Sequence, residues 1–384
     1  MKMVNFSYRN PTRIEFGRGK ENEIGAYIAE EKVKKVLLTY GSDRIKRDGL
    51  FDVVVKSLEA NGIEYVELGG IVSNPVLSKV YEAVELAKEE CVEAILSVGG
   101  GSVLDSSKAI AAGTLYDGDV WDFFIGKGVI QKALPVYDII TLAATGSEMN
   151  TFAVVTNEAT KQKYSIASPH LYPKVSVINP ELQKSVSKEY LVYSAADIIA
   201  HSIEGYFTAS SHPDIIATYI EANIATVMKT TETLLSDEDD YDARGEFAWA
   251  ATQALNGTTY LGVEGYSFPN HMIEHTLSAL FNVPHGAGLS VIMPAWMKWY
   301  VSPNEGQFKR FAQNLFGLSG AVEGIEALEA WFNKVGTPTK LSQLSIKESD
   351  LDAIVENACE HAGAFGLAEI YTKEVLKEIL EKAL

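Results

Sequence analysis

Cysteine is nearly missing from this chain of 384 residues, with Cys91 and Cys359 the only two. Neither a disulfide framework nor a thiolate zinc motif can be built from them. Both fall where a strand or helix is expected, and so sparing a use fits a reducing cytoplasm. Positive charge is scarce as well. The chain carries 33 basic against 51 acidic residues, a formal charge of -18, and no Lys/Arg cluster offsets it. Such a surface repels a phosphate backbone or an anionic bilayer, so neither nucleic acid nor a membrane is expected as a partner. Long apolar runs are lacking too: no segment reaches the roughly 18 continuous apolar residues of a membrane span. The start, M-K-M-V-N-F-S-Y-R-N-P-T, has no apolar signal-peptide core, so the protein is expected to stay where it is made. Internal repeats and low-complexity tracts are also absent.

What is present suffices for a large core. At 47% hydrophobic and 22% charged residues, the chain is long enough for two domains of ordinary size. Up to Pro180, short β-branched runs alternate with amphipathic helical stretches: Val36 to Thr39, a helix around Leu50 to Ala60, Tyr65 to Leu68, a helix from Leu77 to Glu90, then Ala94 to Val98. That alternation predicts a parallel sheet, with ligand sites beyond the carboxyl ends of its strands, where Gly41 and Gly99 to Gly101 fall. A run from Val136 to Leu142 follows, and Ala153 to Thr156 with Tyr164 to Ala167 reads as a hairpin around N-E-A-T-K-Q-K. From Ser187 onward the period is helical, and Pro213, Pro269, Pro284, Pro294 and Pro303 are expected to divide it into separate helices. The acidic run S-D-E-D-D-Y-D at 236–242 lacks the glycine and terminal glutamate of a calcium loop and reads as a solvated connection.

Two constellations carry chemistry. In A-I-L-S-V-G-G-G-S-V-L-D-S-S-K, residues 94–108, a strand delivers three glycines into a turn ahead of a helix expected near Val103. Its free N–H groups and positive dipole end suit a pyrophosphate, though the sequence is not G-x-G-x-x-G and a plain tight turn is the competing reading. Asp105 and Ser106 then stand in the first turn, where the acid either complements the dipole or touches a cofactor. The second constellation is Asp197, His201, His271 and His285. Asp197 and His201 are four apart in a helical stretch and project from one face, as two ligands of one ion must. Four of the seven histidines, His201, His271, His275 and His285, crowd one region of the helical half. His271 and His275 are themselves four apart, so spacing does not say which of them grips the ion and which faces a substrate. Oxygen and imidazole donors without thiolate suit Fe(II), Zn(II), Ni(II) or Co(II). Glu204, three residues past His201, reads first as a helix-surface acid and second as a group orienting a ligand. Phe152, Tyr266, Phe268 and Leu277 fit either an aliphatic substrate tail or core packing.

Over almost its whole length the chain resembles the iron-activated, group III alcohol dehydrogenases, and most of all their butanol dehydrogenase-like branch. The resemblance rests on P-T-R-I-E-F-G-R-G at 11–19, G-G-G-S-V-L-D at 99–105, T-L-A-A-T-G-S-E at 141–148, D-I-I-A-H-S-I-E-G-Y at 197–206, A-T-Q-A-L-N-G at 251–257, and the histidine motif spanning 271–289. It implies a dehydroquinate synthase-like architecture: an α/β amino-terminal domain at 1–180 with a parallel, Rossmann-like sheet, and an all-α domain at 181–384, with the site in the cleft between. It implies that Asp197, His201, His271 and His285 hold one divalent ion, Fe(II) before Zn(II) or Ni(II), and that His275 lies beside nicotinamide and substrate. It places Gly99, Gly100, Gly101 and Ser102 on the pyrophosphate, with Asp105 nearby. Thr141, Leu142 and Thr145 fall along the adenine and nicotinamide, and Lys163 on a cofactor ribose.

The expected activity is hydride transfer between NAD(P)H and aliphatic aldehydes such as butanal by a cytoplasmic homodimer. A polyol dehydrogenase of the same fold and a dehydroquinate synthase-like lyase are the alternatives. Against the lyase, the stretch between His271 and His285 holds none of the cations that a carboxylate and phosphate substrate needs. One aspartate and three neutral imidazoles leave a divalent ion a net +1. Two departures from the family stand out. Where relatives have Y-G-G-G-S, this chain has Tyr40-Gly41-Ser42-Asp43-Arg44. Asp43 repels a 2′-phosphate and accepts from a 2′-hydroxyl, whereas Ser42 and Arg44 suit the phosphate, which leaves NADH and NADPH both open. Ser187 stands where proline is common and is expected to affect only a helix entry.

Overall fold

Strands buried on both faces organise the first unit. The computed structural model describes residues 3–384. Six strands form one parallel sheet: β1 (Arg13–Phe16), β2 (Lys35–Tyr40), β3 (Glu64–Leu68), β4 (Ala94–Gly99), β5 (Val136–Ile140) and, after a hairpin of β6 (Phe152–Asn157) and β7 (Gln162–Ala167), β8 (Val175–Ile178). Their order is β1-β8-β5-β4-β2-β3. Near-continuous runs such as A-I-L-S-V-G are what a sheet covered on both faces demands, and every residue of β4 and β5 is buried. Alternate side chains feed two cores: Leu37, Ile95 and Val136 enter one, while Leu38, Leu96 and Ile139 enter the other.

The chain order reverses between β2 and β4, a topological switch point where open α/β sheets bind ligands. Gly41 follows β2 and Gly99 ends β4, so both flank that point at the carboxyl edge. The helix after β4 runs Gly101–Thr114, two residues earlier than its sequence suggests. Strands β1 and β8 went unrecognised in the sequence because four-residue runs carry too little periodicity to separate from loop. Cys91 lies in neither a strand nor a helix but in an exposed turn with φ 50°, whereas Cys359 lies in the helix Leu351–Ala364.

This unit comprises Arg9–Thr160 and Tyr164–Val186; the second comprises Ser187–Leu384, Lys161–Lys163 and the amino-terminal segment through Tyr8. The second unit is helical. Its longest members are Lys188–Thr208 and Asp214–Ser236. Ser187 opens the former as N-cap, accepting from Tyr190 N at 3.2 Å, which replaces the fixed backbone angle of proline with a hydrogen bond. Pro294 does not divide the chain as expected: it sits inside the helix His285–Tyr300. That helix is buried almost throughout, so neighbouring helices hold it together across the missing N–H. Among the described residues no helix is long and apolar enough to cross a membrane.

Candidate active site

Helical spacing aligns the first donors. Asp197, His201 and Glu204 lie on successive turns of Lys188–Thr208 and are all buried. Pro269 opens the helix Pro269–Phe281, which presents His271, Glu274 and His275 within its first two turns. His285 is the first residue of the next helix, after Pro284. Gly286 allows the close helix contact this requires, because a Cβ there would meet Tyr193 O at 2.0 Å.

These residues converge on one carboxylate oxygen. Asp197 Oδ1 stands 3.6 Å from a ring nitrogen of each of His201, His271 and His285. Donors about 2.0–2.2 Å from one ion at tetrahedral angles are roughly 3.3–3.6 Å apart, so each histidine stands from Asp197 at the distance that sharing a cation needs. The ligand atoms of Asp197, His201 and His271 also lie within 4.8 Å of one another, while His285 groups with Glu274 and His275. Asp197 Oδ1, His201 Nδ1 and His271 Nε2 are buried without a hydrogen-bond partner. Three such atoms together would be costly unless a ligand satisfies them. The residues therefore fit a divalent metal ion. Burial pushes His201 down to about 3. Burial opposes the charge of Asp197 too, yet His201, His271 and His285 hold its carboxyl below the usual range. His271 is raised to about 9 against burial by Asp197 and Glu204.

Glu204 is no surface acid. It is fully buried and accepts from His271 Nδ1 at 2.9 Å, from His271 N at 3.0 Å and from Asn270 Nδ2 at 3.0 Å. Three donors mark it as a carboxylate, and the ring bond fixes the tautomer that leaves Nε2 of His271 free for a metal. Glu274, unremarked in the sequence, does the same for His285 Nδ1, while Ser278 Oγ donates to its other oxygen at 2.6 Å. Gly288 makes room for it, since a Cβ there would meet Glu274 Cγ at 2.7 Å. Glu274, His275 and His285 also have ligand atoms within 4.8 Å of one another. Lys163 Nζ, however, is 3.4 Å from His285 Nδ1 and 3.8 Å from Glu274 Oε2, and an ammonium there opposes a second cation. The net charge of +1 counted Asp197 alone. With Glu204 and Glu274 added, three carboxylates would offset a bound divalent ion together with an ammonium at Lys163.

His275 donates Nδ1–H to Lys163 O at 3.0 Å. Burial, with Lys163 nearby, pushes its pKa well down and keeps it neutral. Phe268 packs edge-on to His271 with centroids 5.9 Å apart, and Tyr266 and Tyr260 extend the aromatic surface. Leu277 is core. Phe152 is exposed in the sheet unit.

The sheet unit gathers the nucleotide candidates at one edge. Gly41, Gly99 to Ser102, and Thr141, Leu142 and Thr145 follow the adjacent strands β2, β4 and β5. A Cβ on Gly101 would meet Thr145 Oγ1 at 2.4 Å, so glycine lets the helix start lie against that loop. The amides of Gly101 and Ser102 precede the first helical hydrogen bonds, made by Val103 N and Leu104 N to Gly100 O. Asp105 accepts from Ser147 Oγ at 2.7 Å and Val154 N at 3.0 Å, tying the helix to the loop. Lys108, not singled out from sequence, is fully buried and donates to Ser147 O, Asn150 O, Asn150 Oδ1 and Phe152 O at 2.7–3.1 Å. At the departure after β2, Arg44 donates Nη1–H to Ser185 O at 3.0 Å and Ser42 Oγ accepts from Arg44 N at 3.4 Å, while Asp43 is exposed.

The iron-containing alcohol dehydrogenase model matches residues 11–180, and the carboxyl-terminal model of the Fe-containing alcohol dehydrogenase family matches 191–384. The chain is 38% identical to the probable NADH-dependent butanol dehydrogenase 1 of Bacillus subtilis, covering 100% of both. It is 31% identical to an NADPH-dependent aldehyde reductase of Escherichia coli, covering 99% of this chain and 100% of that one. The crystal structure of an NADH-dependent butanol dehydrogenase A from Thermotoga maritima superposes with a TM-score of 0.96 at 49% identity, over 100% of this chain and 99% of that one. With both halves matched and the fold shared throughout, the chain belongs to the iron-containing alcohol dehydrogenase family.

Proposed function

We propose that the chain is a metal-dependent alcohol dehydrogenase that reduces aliphatic aldehydes such as butanal with a nicotinamide coenzyme. The carrying observation is the placement of Asp197 Oδ1 at 3.6 Å from nitrogens of three histidines, with buried donor atoms that no protein group satisfies. Asp197, His201, His271 and His285 would hold the ion, with Fe(II) first among Fe(II), Zn(II) and Ni(II). A divalent ion there supplies Lewis acidity toward a carbonyl oxygen, and a nicotinamide coenzyme supplies hydride.

The remaining chemistry belongs to the protein. Glu204 and Glu274 orient His271 and His285 and raise their basicity as ligands. An ammonium at Lys163 offsets one of the added carboxylates, so with a divalent ion bound the reactant would meet a site of little net charge. His275, with Nδ1–H committed to Lys163 O, presents Nε2 as the atom that exchanges a proton with the alcohol oxygen, directly or through water. Phe268 and Tyr266 offer an apolar surface beside His271 for an alkyl tail. In the sheet unit the Gly101 and Ser102 amides suit the pyrophosphate. NADH is the preferred coenzyme: Arg44 is engaged by Ser185, and exposed Asp43 repels a 2′-phosphate. The names of the Bacillus and Thermotoga relatives support the same coenzyme and an alcohol of this size. A cytoplasmic homodimer belongs to the same proposal and is checked by sedimentation equilibrium and cell fractionation.

Butanal-dependent consumption of NADH, measured before and after chelation and in His271→Ala and His285→Ala, tests the whole reading. Turnover and bound metal should vanish together. Turnover in metal-free protein would end it.

A further inference from the structure

The helix Leu351–Ala364 carries a buried histidine that the mechanism above leaves unused. His361 is 0% exposed, although it lies among neither the donors around Asp197 nor the groups that brace them. Its Nδ1 is 3.0 Å from Asn357 O, a carbonyl that only accepts, so Nδ1 carries the hydrogen; Thr276 Oγ1 lies 3.4 Å from the same atom. The Nε2 lone pair is then an acceptor, and Lys163 N donates to it at 3.3 Å. On the other side of that residue, Lys163 O accepts Nδ1–H of His275.

The backbone of one residue thus joins two histidines that are 86 positions apart in the chain, through the peptide N–H before the Lys163 Cα and the peptide C=O after it, and both are held as the Nδ1–H tautomer. The helix grips the same segment twice more, through Asn357 Nδ2 to Lys161 O at 3.0 Å and Gln162 Nε2 to Glu360 Oε2 at 3.4 Å. Its end also packs on the ring: His361 and Phe365 lie edge-on to His275 with centroids 6.2 and 5.7 Å away.

We propose that His361 is a positioning residue for His275, acting through the backbone of Lys163: by accepting Lys163 N–H it holds that residue's backbone angles and with them the carbonyl that fixes the His275 tautomer, so that Nε2 is presented to the reacting groups as an acceptor. The proposal rests on the role given to His275 above. A neutral imidazole whose Nδ1 lost this partner would divide between two tautomers, and only one of them accepts a proton at Nε2.

The test uses the Zn(II)-loaded protein labelled with 15N-histidine, whose long-range 15N–1H correlations report each ring's tautomer; loss of one ring pattern in His275→Asn assigns His275. In the unaltered protein both His275 and His361 should show Nδ1–H. His361→Leu should leave metal content unchanged, mix the His275 tautomers and lower kcat about tenfold with little change in KM, a loss within the range for misaligned groups. His361→Gln, whose side-chain oxygen can accept from Lys163 N, should restore most of both readouts. The proposal is overturned by Nε2–H on His275 in the unaltered protein, by an unchanged tautomer in His361→Leu, or by equal impairment in the two variants. Should His361→Leu fail to fold, the unaltered spectrum and the Gln variant decide. Full turnover in His275→Asn together with an intact tautomer shift would overturn the role of His275 and not its link to His361.

Discussion

Glu204 Oε1 receives two hydrogen bonds from one residue, from the ring Nδ1 of His271 at 2.9 Å and from its backbone N at 3.0 Å. The carboxylate therefore sets both where the helix Pro269–Phe281 begins and which nitrogen of His271 faces Asp197. Replacing it with Gln keeps the shape and removes the charge. Competition against a chromogenic chelator should show metal affinity falling roughly 10- to 100-fold in Glu204→Gln. Unchanged affinity would reduce Glu204 to a helix cap.

Coenzyme choice is expected to turn on Asp43. With Arg44 held by Ser185 O, the exposed acid is the group opposing a 2′-phosphate. In Asp43→Ser the kcat/KM ratio for NADPH over NADH should rise roughly tenfold at low salt, and less at high salt, where exposed charges are screened. A ratio that does not move would place the ribose elsewhere.

Lys108 ties the loop after Gly146 to the helix Gly101–Thr114 through four oxygens. Lys108→Met leaves those buried acceptors without their donor and should destabilise the fold by about 3 kcal/mol, read from the denaturant midpoint. NADH affinity should fall as well, because Thr145 borders the same loop. A variant as stable as the parent would show that water replaces the ammonium.

Asp138 supplies a pH signature. Burial in mid-strand pushes its carboxyl well above the usual range; Ser176 Oγ donates to it and lowers it in part, while Glu148 raises it. Because the folded value lies above the unfolded one, the folded state holds the proton longer. Its contribution is complete below the unfolded pKa and is lost as pH rises through the folded one. The stability of Asp138→Asn relative to the parent should therefore increase from pH 5 to pH 8 in urea titrations. A constant difference would mean that the carboxyl titrates normally.

Much of this protein could be read without coordinates, because short-range periodicity reports short-range geometry. Asp197 and His201 share a helix face by spacing alone, and the alternation from Val36 to Val98 yielded the central strands and the helix Leu50–Ala60 nearly residue for residue. The glycines beyond β2 and β4 were legible for the same reason, since a parallel sheet puts its ligand turns at one edge. Tertiary structure alone decided which groups brace the site. Glu204 meets His271 across 67 positions, and the Lys163 carbonyl meets His275 across 112. No local pattern encodes such pairs, because a buried acid and a surface acid look alike until the chain has closed around one of them. The sequence thus determined the helices and the candidate donors, with His271 and His275 left open by spacing; burial and long-range hydrogen bonding decided their tautomers and the charge around them.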